Sequence, residues 1–183
     1  MIKLDVGCGG KGSRQVGFIG IDIWPRPADK TEDEYFQLDF IKDNLPWNPE
    51  TIDEIIAIHI IEHMVRDEGK VLIQRAYDLL KAGATLTITC PDLELLVVKY
   101  LEKDFDFYEK KYKNGRLIWQ GPTLADRLNW AIHQQGHKWS YDNVSLLCLA
   151  REALGTSDGI EPINANSRFY NLRDHETGIV ITK

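Results

Sequence analysis

The residues best suited to chemistry lie at the front of the chain, where Gly7-Cys8-Gly9-Gly10-Lys11-Gly12 follows the short apolar run Ile2 to Val6 and satisfies G-x-G-x-x-G. Glycine at such a junction lets the backbone turn sharply and lets a ligand approach main-chain amides more closely than a Cβ would permit. Three acids follow at intervals, Asp5, Asp22 and Asp39. Carboxylates suit hydroxyl, amino or cationic groups and repel phosphate. His63, His133 and His137 are candidate general bases, because imidazole titrates near neutral pH. Lys11 and Arg14 offer positive charge to a carboxylate, though as loop residues they are better suited to a solvated role. His59-Ile60-Ile61-Glu62-His63 also matches the H-x-x-E-H pattern of a zinc peptidase.

These groups need elements to position them, and strand-like and helix-like patterns alternate along the chain. Strands are expected at residues 17–23, 35–40, 53–59 and 84–90 after the first one, each rich in β-branched or aromatic residues. Leu72, Ala76, Leu79 and Leu80 recur at helical spacing within 66–81, with Gly83 placed to end that helix. A later helix is expected from Asp142 to Gly155 with Leu146, Leu149, Ala150 and Ala153 inward, and two last strands near 159–165 and 178–182. A Rossmann-like, doubly wound α/β sheet of about seven strands is expected, mostly parallel with an antiparallel final strand, a shortened first helix and helices on both faces. Residues 100–141 break the pattern, being aromatic and highly charged. They read as a helical insertion over the carboxyl edge of the sheet, capping a second-substrate pocket, or as a plain packing appendage.

Length and composition fit this picture. A chain of 183 residues with 43% hydrophobic and 27% charged residues suits one globular domain. The net charge of −6 argues against a broad nucleic-acid face and favours a small or uncharged substrate. Cys8, Cys90 and Cys148 are odd in number and widely spaced, which suits a reducing compartment. With no leader-like segment before the first strand and no apolar run of about 18 residues, a soluble cytoplasmic protein without a membrane partner is expected.

Spacing then separates the candidate ligands. A dinucleotide site usually places its ribose-binding acid about 20 residues beyond the glycines, across a full crossover helix. Asp22 comes far sooner. Only Ser13 to Val16 separate Gly12 from Gly17, room for little more than one helical turn. A pyrophosphate needs the positive end of a real helix, whereas S-adenosyl-L-methionine carries no phosphate but an amine and a cationic sulfur, which carboxylates suit. The peptidase pattern fares worse still, since Ile55-Ile56-Ala57-Ile58 disfavours a helix leading into His59. No metal site is expected.

In this ordered set the chain resembles the class I S-adenosylmethionine-dependent methyltransferases, in particular a compact small-molecule type with Glu-His after strand four. The residues carrying the resemblance are Leu4 to Gly10, Ile21-Asp22-Ile23, Leu38-Asp39-Phe40, Asp53 to His63, and Leu79 to Ala84. The resemblance implies that Asp5 and the Gly7-Cys8-Gly9 turn meet the amino-acid part of the cofactor. It further implies Asp22 at the ribose, Asp39 at adenine with Ile23, Trp24 and Phe40 flanking the ring, and His59 facing the methionyl amine and the methyl group. Gly136-His137-Lys138-Trp139-Ser140-Tyr141 looks like a His-Lys-x-x-Tyr segment that precedes the last long helix of that subgroup. In many relatives an upstream helix covers the cofactor, work expected here of the insertion. The implied activity is methyl transfer to a small-molecule or sugar acceptor. A non-catalytic cofactor-binding subunit is the alternative, with an NAD enzyme or the peptidase behind it.

Overall fold

A computed structural model of the protein describes residues 1–9, 16–26, 34–133, 136–163 and 172–183. Its elements are β1 (Lys3–Val6), β2 (Ile19–Asp22), β3 (Tyr35–Gln37), β4 (Ile52–Ile58), a 3-10 turn (Ile61–His63), α1 (Arg66–Leu79), β5 (Leu80–Pro91), α2 (Leu93–Leu101), α3 (Phe105–Tyr108), α4 (Leu124–His133), α5 (Asn143–Leu154), β6 (Ile160–Pro162) and β7 (Glu176–Thr182). The strands form one sheet in the order β3-β2-β1-β4-β5-β7-β6. The first five are mutually parallel, and β7 runs antiparallel to both β5 and β6. The seven-stranded, mostly parallel α/β sheet with an antiparallel final strand is thus the one the sequence predicts.

Register explains why these runs become strands. Leu4 pairs with Ile19 on one side and Ile55 on the other, Ile55 with Leu86, Leu86 with Ile181 and Ile181 with Ile160, so one apolar row crosses six strands. Successive side chains alternate faces, which puts this row, with Val6, Ala57, Ile88 and Ile179, against the inner stripes of α1 and α5 in a single core. Removing each such Leu or Ile from water stabilises the fold by about 1.5–3 kcal/mol. The opposite face carries a smaller cluster of Phe18, Ile56 and Ile58. Among the described residues no helix lies between β1 and β3, in keeping with the short first crossover. Lys11 and Arg14 fall outside the described residues, as does the end of the predicted strand at 159–165.

One predicted helix end moves. The helix stops at Leu79, and Leu80 is already extended, fully buried and paired with Ile52. Burying Leu80 in the sheet outweighs another half-turn of helix. Gly83, expected as the helix stop, instead supplies the positive φ of 78° for the irregularity in β5 between its pairings at Leu80 and Thr85. The last helix follows expectation, with the Asp142 carboxylate accepting the Ser145 amide at 2.7 Å and Gly155 closing it in the left-handed conformation.

The segment between β5 and α5 leaves and rejoins the sheet at one point, where the Leu93 amide donates to the Tyr141 carbonyl at 2.9 Å. Its aromatic residues build their own cluster of Leu96, Phe107, Tyr108, Trp119 and Ala131. Phe107 stacks on Trp119 at 4.7 Å, and the Tyr108 hydroxyl donates to the Leu96 carbonyl at 2.6 Å. No described helix is long and apolar enough to cross a membrane.

Candidate functional site

Because β1, β2, β4 and β5 are parallel, the residues that follow them gather on one edge of the sheet. Two adjoining cavities open there, of about 180 Å³ and 350 Å³, and His63 lines both.

The first cavity has a bare backbone floor. Gly7 takes φ of 74°, its amide donates to the Ile21 carbonyl at 2.8 Å, and a Cβ placed on it would lie 2.6 Å from the Ile60 side chain. Only glycine meets both conditions. Asp22 stands at the end of β2 almost wholly buried, its carboxylate accepting the amides of Gly9 at 2.6 Å and Trp24 at 3.1 Å. Burial first, and then the Asp22 charge, push the neighbouring Tyr35 hydroxyl up to about 12, so it remains a donor and bonds the Trp24 carbonyl. Asp39 accepts the Ile41 amide at 3.1 Å and pairs with Lys42 at 3.3 Å. Each of these acids therefore closes a local turn while facing the cavity, with Ile23 and the buried Phe40 completing its apolar wall.

The second cavity is built around His59. This residue directly follows β4 with φ of 52°, a left-handed conformation that costs a side-chain-bearing residue about 1–2 kcal/mol and often marks functional positions. The conformation sets its ring between two buried carboxylates, Nδ1 at 3.1 Å from Glu62 and Nε2 at 2.5 Å from Glu176. Burial opposes charge on the ring, but the hydrogen bonds to Glu176 and Glu62 prevail and hold its pKa at about 9. His59 is therefore an imidazolium at neutral pH. Burial likewise works against ionised Glu176, yet His59 and the Arg173 amide keep its carboxyl below the ordinary range. His137 behaves in the opposite way. Burial lowers its pKa, its Nδ1–H donates to the Ala131 carbonyl at 2.9 Å, and Nε2 is left as the lone-pair nitrogen. Its ring meets that of His63 edge-on at 4.9 Å. His175, also held neutral by burial, packs edge-on against Trp119 at 5.4 Å. Trp119, Trp130, Ile118 and Tyr112 of the insertion form the far wall.

The structure thus brings Gly7, Asp22, Ile23, Asp39, Phe40 and His63 to the first cavity and His59, His63 and His137 to the second. Other predicted site residues lie elsewhere. Asp5 and Cys8 are buried and line neither cavity; Gly9 spends its amide on Asp22; Trp24 is largely exposed beside the first cavity without lining it. His133 is exposed on the last turn of α4, because its neighbours Ala131 and Ile132 take the inward positions. His59 and His63 do not share a helix face, since only Ile61–His63 forms a 3-10 turn, so the peptidase arrangement does not form. Sequence reasoning missed His175 and Glu176, and it counted Glu62 in the peptidase pattern and in the Glu-His signature without giving it a role in the site. The single signal for the first two was the charged run Arg173 to Glu176 just before the last strand.

Comparison with solved structures bears on the whole arrangement. The chain superposes along its entire length on human N-acetylserotonin methyltransferase in complex with S-adenosylmethionine, at 16% identity and a TM-score of 0.58, spanning 47% of that longer protein. A SAM-dependent methyltransferase from Archaeoglobus fulgidus matches 99% of the chain over 85% of its own length, at 14% identity and a TM-score of 0.59. Burkholderia thailandensis 1,6-didemethyltoxoflavin-N1-methyltransferase, solved with bound 1,6-didemethyltoxoflavin and S-adenosylhomocysteine, matches the full chain over 70% of its own length, at 13% identity and a TM-score of 0.54. The fold is that of the S-adenosylmethionine-dependent methyltransferases. No protein-family model and no curated sequence matches the chain. The likeness is one of fold, and the cavities lie at the edge where open α/β sheets bind ligands.

Proposed function

We propose that the protein is an S-adenosylmethionine-dependent methyltransferase acting on a small-molecule or sugar acceptor. The observation that carries this reading is the pair of cavities meeting at His63 on the carboxyl edge of the sheet, one floored by a glycine turn and rimmed by acids, the other walled by aromatic residues. The first cavity suits the cofactor in shape and charge. Gly7 gives the floor a turn of positive φ packed against Ile60, Asp22 and Asp39 offer carboxylates to hydroxyl and amino groups, and Ile23 and Phe40 offer an apolar wall to a flat ring. Bound there, the cofactor would supply an electrophilic methyl group on a sulfonium sulfur.

The protein's own residues then have positioning tasks. Residues 100–141 are proposed as the cap over the acceptor, since Tyr112, Ile118, Trp119, Trp130 and His137 all come from them. Holding two reactants in line and away from water can supply much of the acceleration for a displacement of this kind. His59, already protonated and held by two carboxylates, cannot accept a proton from the acceptor and acts as a positioning residue for Glu62 and Glu176. His63 and His137 are the imidazoles that stand where acceptor and cofactor would meet, and His137 carries its free lone pair at Nε2.

The test is a calorimetric titration of the folded protein with S-adenosylmethionine, S-adenosylhomocysteine and NAD. One equivalent of each sulfur compound is expected to bind and NAD is not. Absence of binding by both sulfur compounds would overturn the assignment. Binding without turnover across an acceptor library, read by mass spectrometry, would instead indicate a non-catalytic subunit.

A further inference from the structure

Glu62, His63 and His137 each offer one potential ligand atom, and these atoms all lie within 4.8 Å of one another. A tetrahedral cation with bonds of about 2.0–2.1 Å would hold such atoms roughly 3.3 Å apart, so small side-chain rotations close the set. A second observation points to a ligand. Glu62 is 2% exposed, its Oε1 is bonded to His59, and its Oε2 is buried with no hydrogen-bond partner. A buried carboxylate oxygen left unpaired is costly unless a cation or donor meets it.

The surroundings have the organisation that metal ligands require. His137 donates from Nδ1 to the Ala131 carbonyl at 2.9 Å, which fixes the tautomer and leaves Nε2 to coordinate. His59 donates to Oε1 of Glu62 at 3.1 Å and orients that carboxylate. The amides of Lys138 and Trp139 donate to the Glu62 carbonyl at 2.8 and 3.2 Å, tying the segment bearing His137 to the turn bearing Glu62 and His63.

We infer that Glu62, His63 and His137 form a binding site for a divalent transition-metal ion of the zinc type. Two imidazoles and one carboxylate match a catalytic rather than a structural donor set, and they suit zinc, cobalt or iron better than calcium or magnesium. All three residues line the second cavity, so the remaining coordination positions face it, between the imidazoles and the wall of Trp119 and Trp130. An acceptor with an oxygen donor, a hydroxyl or carboxylate, would complete the coordination, and a coordinated hydroxyl ionises more readily. Only this last step rests on the proposed methyl transfer. The metal site itself stands on the residues.

The experiment titrates metal-stripped protein with Co²⁺ and Zn²⁺, following the visible ligand-field bands of Co²⁺ and, separately, the heat of S-adenosylhomocysteine binding. The full chain is expected to take up one equivalent of Co²⁺ with the bands of a four- or five-coordinate nitrogen and oxygen site, displaced by Zn²⁺. Glu62→Gln keeps the bond to His59 but loses the anion, and His137→Gln loses the lone pair. Each is expected to weaken metal binding at least about tenfold. Circular dichroism checks that both variants are folded. No stoichiometric uptake of either metal by the wild-type protein would overturn the inference whatever the variants do, and so would uptake equal in wild type and both folded variants. Metal uptake without S-adenosylhomocysteine binding would retain the metal site and remove the methyltransferase reading.

Discussion

Replacing Glu176 by Gln tests the charged pair at the base of the second cavity. In the wild-type protein the His59 ring is raised from the ordinary 6.5 to about 9. At about 1.36 kcal/mol per pH unit this difference corresponds to about 3 kcal/mol of folding stability. The ring is 23% exposed and Glu176 fully buried, so solvent screening takes little from it. The depressed carboxyl of Glu176 is the same interaction seen from its other partner and adds nothing further. A group whose pKa is higher folded than unfolded stabilises fully below its unfolded value and loses that contribution as pH rises through its folded value. Wild-type stability should therefore fall between about pH 6.5 and pH 9 by up to about 3 kcal/mol, or about 6–12 °C in melting temperature for a chain of this size. In Glu176→Gln one of the two carboxylates is gone, His59 should titrate closer to its ordinary value, and the slope across that window should shrink. Urea unfolding of both proteins at pH 6 and pH 9.5 measures the slope, and the ring-proton resonances of His59 give its titration directly. Parallel stability curves, or a wild-type His59 titrating near 6.5, would refute the reasoning.

Two further substitutions address the first cavity. Gly7→Ala places a methyl group 2.6 Å from Ile60 and forces φ of 74° on a residue with a side chain, so a loss of about 2–5 kcal/mol is expected in urea unfolding; a loss under about 1 kcal/mol would mean that the turn relaxes freely. Asp22→Ala removes the carboxylate that holds the Gly9 and Trp24 amides, and S-adenosylhomocysteine binding should weaken by about 1–3 kcal/mol in calorimetry, with an unchanged far-ultraviolet spectrum showing that the sheet persists. Unaltered affinity would remove Asp22 from the binding site.

Most of the fold was legible in the chain because the signals that specify it are local. β-branched runs with turn residues between them mark strands, Asp142 and Gly155 cap a helix on their own chemistry, and too few residues separate Gly12 from Gly17 for a full crossover helix. The same holds for the glycine turn and for Asp22 and Asp39, which sit at strand ends that the pattern already places on one edge. Where a local signal met a tertiary competitor it lost. Gly83 reads as a helix stop, yet the pairing of buried Leu80 with Ile52 ends the helix earlier and leaves the glycine to bend a strand.

The second cavity was decided by tertiary structure alone. His59 and Glu176 are 117 residues apart, and nothing near either in sequence marks the other as its partner; they meet because β7 inserts antiparallel beside β5 and brings its first residue to the end of β4. His63, His133 and His137 were equal candidates as residues, and packing separates them, sending His133 to solvent while a fold of the insertion back onto the 3-10 turn brings His137 against His63. Sequence determines which groups are present and which elements carry them. Their charge states and partners depend on burial and on long-range contacts, which exist only once the sheet has closed over its core.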